Sequence, residues 1–145
     1  MASSFPLAGL LRLRRLREDT AAGELAAANA LLRSATVRRS RAHGALSSLT
    51  SEVSGADEMR ALQAVRASSA SMLADLQSLA AMHARRSDDA ERALAAAHAL
   101  TRGVEKLEDK HTAEQAAAAL QEEQLALDEI ASRGHGGQKR MGDPT

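Results

Sequence analysis

Five histidines and several adjacent acidic pairs are the residues of this chain with the chemistry for metal ligation or proton transfer. The histidines stand at positions 43, 83, 98, 111 and 135. A metal pair on a helix needs ligands three or four residues apart, and no two of these have that spacing. Asp88-Asp89, Glu108-Asp109, Glu122-Glu123 and Asp128-Glu129 are sequence neighbours, so a helix points their carboxylates to different faces. They read as solvated charges, not as a catalytic dyad. No cysteine is present, which removes thiolate nucleophiles, zinc–cysteine sites and disulfides. Gly134, Gly136 and Gly137 follow a helical stretch, so they do not form the strand-to-helix turn that cradles phosphate. The expectation is a non-enzyme with no metal and no cofactor.

The remaining candidate is a contact surface. Arg12, Arg14, Arg15 and Arg17 crowd the start of the chain, interleaved with Leu10, Leu11, Leu13 and Leu16. At helical spacing they wrap more than one face, which suits a basic, partner-binding end. An intramolecular use competes with this reading: pairing with Glu122, Glu123, Asp128 and Glu129 of a second helix. An arginine-rich, acid-free start also suits a membrane surface or a targeting signal. Nucleic acid is disfavoured, because no aromatic platform accompanies the arginines and the net charge is zero.

The elements that carry these residues are helical. Alanine (33 residues) and leucine (20 residues) supply most of the apolar content, against four valines and one isoleucine, so helices are favoured and strands are not. There is one Phe and no Trp or Tyr, which leaves little bulk for a globular core. Leu11, Leu25, Leu32, Leu46 and Val53 mark one track of a heptad, and Leu7, Ala21, Ala28, Ala35, Ala42 and Leu49 mark the other. Arg14, Glu18 and Arg39 interrupt it with polar groups. A second seam reads Leu62, Val65, Ser69, Met72, Leu76 and Leu79, continues through His83, Arg86, Ala90, Ala93 and Ala97, and ends with Leu100, Val104 and Leu107. Past Leu107 the phase slips to Ala113, Ala116, Leu120, Leu127 and Ile130.

The expected fold is all-α: a long antiparallel two-helix coiled coil over residues 1–133, with one helix over about 5–53, a bend over about 47–57 and a second helix over about 57–133. Ser68, Ser69 and Ser71 admit an interruption near 68–71 and a short helix at the tip. Gly134 is expected to stop the second helix, leaving a disordered tail over 134–145. Residues 1–53 hold eight basic and four acidic side chains, and residues 101–133 hold four basic and eight acidic ones, which favours an antiparallel choice. No apolar run approaches the roughly 18 residues that span a bilayer, and a secretory signal is not expected.

The opening segment, residues 5–19, reads FPLAGLLRLRRLRED. It resembles the start of the FliJ family of flagellar type III export proteins, through Phe5, Leu7, Leu10, Leu11, Leu13 and Arg14. The later Lys106-Leu107-Glu108 and Leu127-Asp128-Glu129-Ile130-Ala131-Ser132-Arg133 are similar to that family's charged final helix. The resemblance implies a soluble coiled-coil accessory protein that binds and stimulates the hexameric flagellar export ATPase. It also implies contact with the export gate membrane protein and with export chaperones. Its place would be the bacterial cytoplasm, peripheral to the inner membrane at the flagellar base. The expected partner-binding residues are Leu10, Leu13, Arg12, Arg14, Arg15, Arg17, Glu129 and Arg133. Family members often carry gate-contacting aromatics in mid-chain; here Met59, Leu62 and Val65 hold that place as a possible tip contact. The protein is expected to be monomeric or weakly self-associating. Two other readings stand beside this one: a structural or adapter coiled coil with no ATPase partner, and an injectisome-type stalk protein.

Overall fold

The structure is a computed structural model that describes residues 4–49 and 54–136. Two long helices pack against each other, α1 (Ala8–Ser47) and α2 (Ala56–Gly136), and no strand occurs among the described residues. The expected all-α helical hairpin is what the chain forms. Its helices are shorter at the first boundary and longer at the last. Pro6 sits in a turn before α1, where the Phe5 carbonyl accepts the Ala8 N–H at 3.1 Å, so α1 begins after the proline rather than at it. At its other end α1 stops at Ser47. The Ser47 and Ser48 hydroxyls donate to the His43 and Ala45 carbonyls at 2.9 Å and take up acceptors of the last turn. The part of the expected bend at 50–53, with Val53, lies outside the described residues.

Ser54 opens α2. Its N–H and its hydroxyl both donate to the Glu58 carboxylate, at 3.1 and 3.2 Å, an arrangement of the capping-box kind. The helix is then continuous through Ser68, Ser69 and Ser71, so no separate tip helix occurs among the described residues. Isolated serines cost an α-helix only a few tenths of a kcal/mol each. Nothing in residues 56–102 is Gly or Pro, the residues that break helices. Gly134 does not end α2, which runs to Gly136; the rest of the expected tail lies outside the described residues.

The chain divides into two compact units. Unit 1 is Met1–Leu13 with Thr101–Thr145, and unit 2 is Arg14–Leu100. Within unit 2 three pairs fix direction and register: Glu18 with His98 and Asn29 with Ser87 between the helices, and Leu49, just past the end of α1, with Arg66. As numbers rise on α1 they fall on α2, and each pair sums to 115 or 116, so the helices are antiparallel with no slip across the unit.

Burial along α1 follows the expected seam. Leu11, Ala21 and Ala35 are buried and Leu25, Ala28, Leu32, Ala42, Leu46 and Leu49 are half-buried, while Leu7, expected on the seam ahead of α1, and Arg39 are exposed. On α2 one expected track is correct: Leu62, Ser69, Leu76, His83, Ala90, Ala97 and Val104 are all buried or half-buried. The other is displaced by one residue. Arg66, Leu73, Ala80, Ser87, Leu94, Thr101 and Glu108 face inward. In contrast, Val65, Met72, Arg86, Ala93, Leu100 and Leu107 are exposed and Leu79 is half-buried. The contrast between neighbours is sharp: Leu100 is 50 % exposed and Thr101 is 3 % exposed. The true seam alternates by four and three residues from Leu62 to His111 without a skip.

A physical reason for the displacement lies in the charges. The expected phase would bury Arg86 in the middle of unit 2. The observed phase puts Ser87 there, and the Ser87 hydroxyl donates to Asn29 Oδ1 at 2.6 Å. Charged seam residues then remain only toward the ends, as Arg66 and Glu108. Arg66 is half-buried and donates to the Leu49 carbonyl at 3.2 Å, so its guanidinium has a partner.

Candidate functional site: a contact surface

In unit 1, α1 buries Leu11 and leaves Leu10, Arg12 and Leu13 exposed. The seam position is thus satisfied by one leucine, and two large apolar side chains stand in solvent on either side of an arginine. Phe5 packs against His111 of α2 with ring centroids 5.7 Å apart. That contact anchors the start of the chain to unit 1, and it makes Phe5 a packing residue. Farther along α2, Glu129 and Arg133 pair with each other at 2.6 Å, one turn apart on the same helix. Glu122, Glu123 and Asp128 are exposed.

In unit 2, Arg15 and Arg17 are exposed, while Arg14 is half-buried on the seam and its Nε is buried without a hydrogen-bond partner. The Nδ1 of His83 is in the same position. A buried donor or acceptor left unpaired costs on the order of 1–3 kcal/mol, so these two polar seam residues weaken the packing where they stand. Glu18 and His98 are better served: Glu18 Oε1 lies 2.6 Å from His98 Nδ1. Both residues line a shallow, mostly apolar cleft together with Leu25, Glu91, Leu94 and Ala95. A carboxylate and an imidazole at this distance form a clasp between helices, strongest when the imidazole is protonated. At the other end of unit 2, Met59 and Val65 are exposed and Leu62 is half-buried.

Sequence reasoning missed Ser87, Thr101, Asn29 and the Glu18–His98 clasp. The signal for the first two was faint: from Leu62 a 4-then-3 alternation carries fewer apolar residues than a 3-then-4 one, but it keeps Arg86 off the seam. The cross-helix pairs needed the register, which the heptad alone leaves open.

No group of three or more His, Asp or Glu side chains among the described residues is placed to hold a metal ion. No helix is long and apolar enough to cross a membrane among the described residues. What the arrangement offers is surface: exposed leucines with arginine at one end of α1, and exposed methionine and valine near the bend.

The sequence model of one protein family, described as Flagellar FliJ protein, matches residues 3–140. No curated protein and no solved structure matches the chain.

Proposed function

The chain belongs to the flagellar FliJ family, and from that premise we propose that it binds the hexameric export ATPase and raises its rate of hydrolysis. Membership implies a role in flagellar type III protein export by a non-catalytic component. The observation that carries the finer reading is the exposure of Leu10 and Leu13 beside Arg12 in unit 1. Leu11 already fills the seam, and Leu10 and Leu13 still keep 36 % and 42 % of their surface in solvent. Exposed aliphatic side chains next to a guanidinium have the composition of an interface core, where a few anchors carry most of the binding energy.

Arg14, Arg15 and Arg17 of unit 2 are further proposed contacts. Arg14 would gain a partner for its unsatisfied Nε by meeting an acceptor on the ATPase. Glu129 and Arg133 of unit 1 complete the set. Met59, Leu62 and Val65 are the proposed contact for the export gate or for export chaperones. This reading puts the protein in the bacterial cytoplasm at the flagellar base. Stimulation would follow from preferential binding to one state of the ATPase, since a ligand shifts an equilibrium only by its differential affinity.

The test is steady-state hydrolysis by the cognate export ATPase with and without this protein. The rate is expected to rise with wild-type protein and to stay at the basal level with Leu10→Glu/Leu13→Glu, whose helicity should match wild type. No rise at saturating wild-type protein would overturn the reading and leave an adapter coiled coil without an ATPase partner.

A further inference from the structure

The second helix changes its apolar face inside unit 1. Thr101, Val104, Glu108 and His111 lie on the inward seam. Continuing that seam in phase reaches Gln115, Ala118, Glu122, Leu125 and Glu129, a mostly polar row. The apolar row is instead Ala113, Ala116, Leu120, Leu127 and Ile130. Leu120 follows His111 by nine residues, which at about 100° per residue turns it half a circle from the inward face. Every residue from 112 to 134 is exposed. Leu120, Leu127 and Ile130 keep 61 %, 58 % and 67 % of their surface in solvent. Because the row points away from the inward side of α2, prolonging the hairpin would not cover it.

Three features of the row identify its occupant. It is ordered by size, with alanines at 113 and 116 and the large residues Leu127 and Ile130 at the other end. An antiparallel copy of the same row places Ala113 across from Ile130 and Ala116 across from Leu127, so small meets large at both ends, while Leu120 lies across from Glu123 near the centre. A parallel copy would set alanine on alanine and isoleucine on isoleucine, leaving gaps at one end and crowding at the other. The positions that flank the row are uncharged: Ala117, Ala119, Gln124, Ala126 and Ala131. They let a second helix approach closely and offer nothing to recruit a charged partner. The acids Glu114, Glu122, Asp128 and Glu129 lie off the row. Glu123 is the exception, and it sits near the centre.

We propose that residues 113–130 of α2 form a weak antiparallel self-association site, through which two copies of the chain pair by their apolar rows about a two-fold axis between Gln121 and Glu122. In that pairing the two Glu123 side chains lie about 4.5 Å apart along the axis. Their repulsion limits the strength of a contact that otherwise has good shape, and it keeps the pair dissociable.

Sedimentation equilibrium of the full-length protein up to about 1 mM tests this, far above the affinity range of stable dimers. A concentration-dependent dimer is expected for wild type. Glu123→Leu should tighten it by about tenfold or more, because each copy exchanges a repelled charge for a buried leucine. Leu127→Glu should abolish it with helicity unchanged, since Leu127 keeps 58 % of its surface in solvent. Spin labels report the direction: Gln121→Cys should give a short interchain distance, and Gln115→Cys a longer one by about 15–20 Å along the axis. A monomer at every concentration, a dimer indifferent to Leu127→Glu, or equal distances from both labels would each overturn the proposal. None of these measurements involves the ATPase, so the proposal and the functional reading fail separately.

Discussion

Residues 62–100 and 112–134 of α2 are made of the same material, yet the first stretch has an inward face and the second has none. Both are rich in alanine and leucine, and neither contains proline. In unit 2 the row Leu73, Ala80, Ser87 and Leu94 is buried or half-buried. In unit 1, after His111, leucines at 120, 125 and 127 are all exposed. Helix propensity is similar in the two, so the difference lies in packing, which depends on a partner at the right distance and phase. A heptad is a statement about what one side of a helix can accept. It becomes stability only when another helix is there.

The largest test of that contrast places the same charge in both stretches. Ala35 is buried on the seam of unit 2, and Ala116 is exposed in unit 1. Ala35→Glu should destabilise the protein by about 3 kcal/mol or more, because the seam offers that carboxylate neither room nor a partner. Ala116→Glu should change stability by about 0.5 kcal/mol or less. Urea unfolding followed by far-UV circular dichroism at low micromolar concentration separates the two. Equal losses would mean that residues 112–134 are packed.

That contrast also marks how far the sequence could be read. The inward row of α1 was legible because its alternation of leucine and alanine has one consistent phase and few rivals. Ala21 and Ala35 are buried as the heptad requires. The α2 row was legible by halves. Leu62, Leu76, Ala90 and Val104 are shared by both possible phases, and hydrophobicity alone prefers Leu100 to Thr101 and Val65 to Arg66. The structure reverses that preference and buries the small polar Ser87 and Thr101. The charge of Arg86 then sits at the flank. Of the expected contact surface, the exposed Leu10, Leu13 and Met59 could be anticipated as residues that the seam does not use, whereas Val65 was expected on the seam and is exposed. The half-burial of Arg14 could also be anticipated, since it falls on the seam. The cross-helix pairs Glu18–His98 and Asn29–Ser87 could not, because one residue of register decides them.

A second comparison stays inside unit 1. Leu11 is buried and Leu120 is exposed. Leu11→Ala should cost about 2–4 kcal/mol, the usual toll of removing a buried leucine and leaving a cavity. Leu120→Ala should cost about 0.5 kcal/mol or less in the monomer, since alanine also favours the helix. The same denaturation measurement decides. A large loss from Leu120→Ala would show that its row is covered within one chain, and the two-copy pairing would lose its basis.

The smallest effect is the most specific, because it compares two serines that both make hydrogen bonds. The Ser87 hydroxyl reaches across to Asn29 at 2.6 Å and is buried. The Ser132 hydroxyl donates to the Asp128 carbonyl one turn back at 2.8 Å and is exposed. Replacing either by alanine gains about 0.5 kcal/mol of helix propensity. Ser87→Ala also loses a cross-helix bond worth about 1 kcal/mol and leaves Asn29 Oδ1 to find water at a partly buried site. The sum is a net loss of about 0.5 kcal/mol. For Ser132→Ala the lost bond is one that bends and competes with the helix rather than joining two helices. The protein should become slightly more stable, or more helical at the same stability. Opposite signs for the two variants would show that the hydroxyl at Ser87 contributes through the second helix. Matching signs would mean that propensity governs both sites and that the Asn29–Ser87 bond adds nothing to the hairpin.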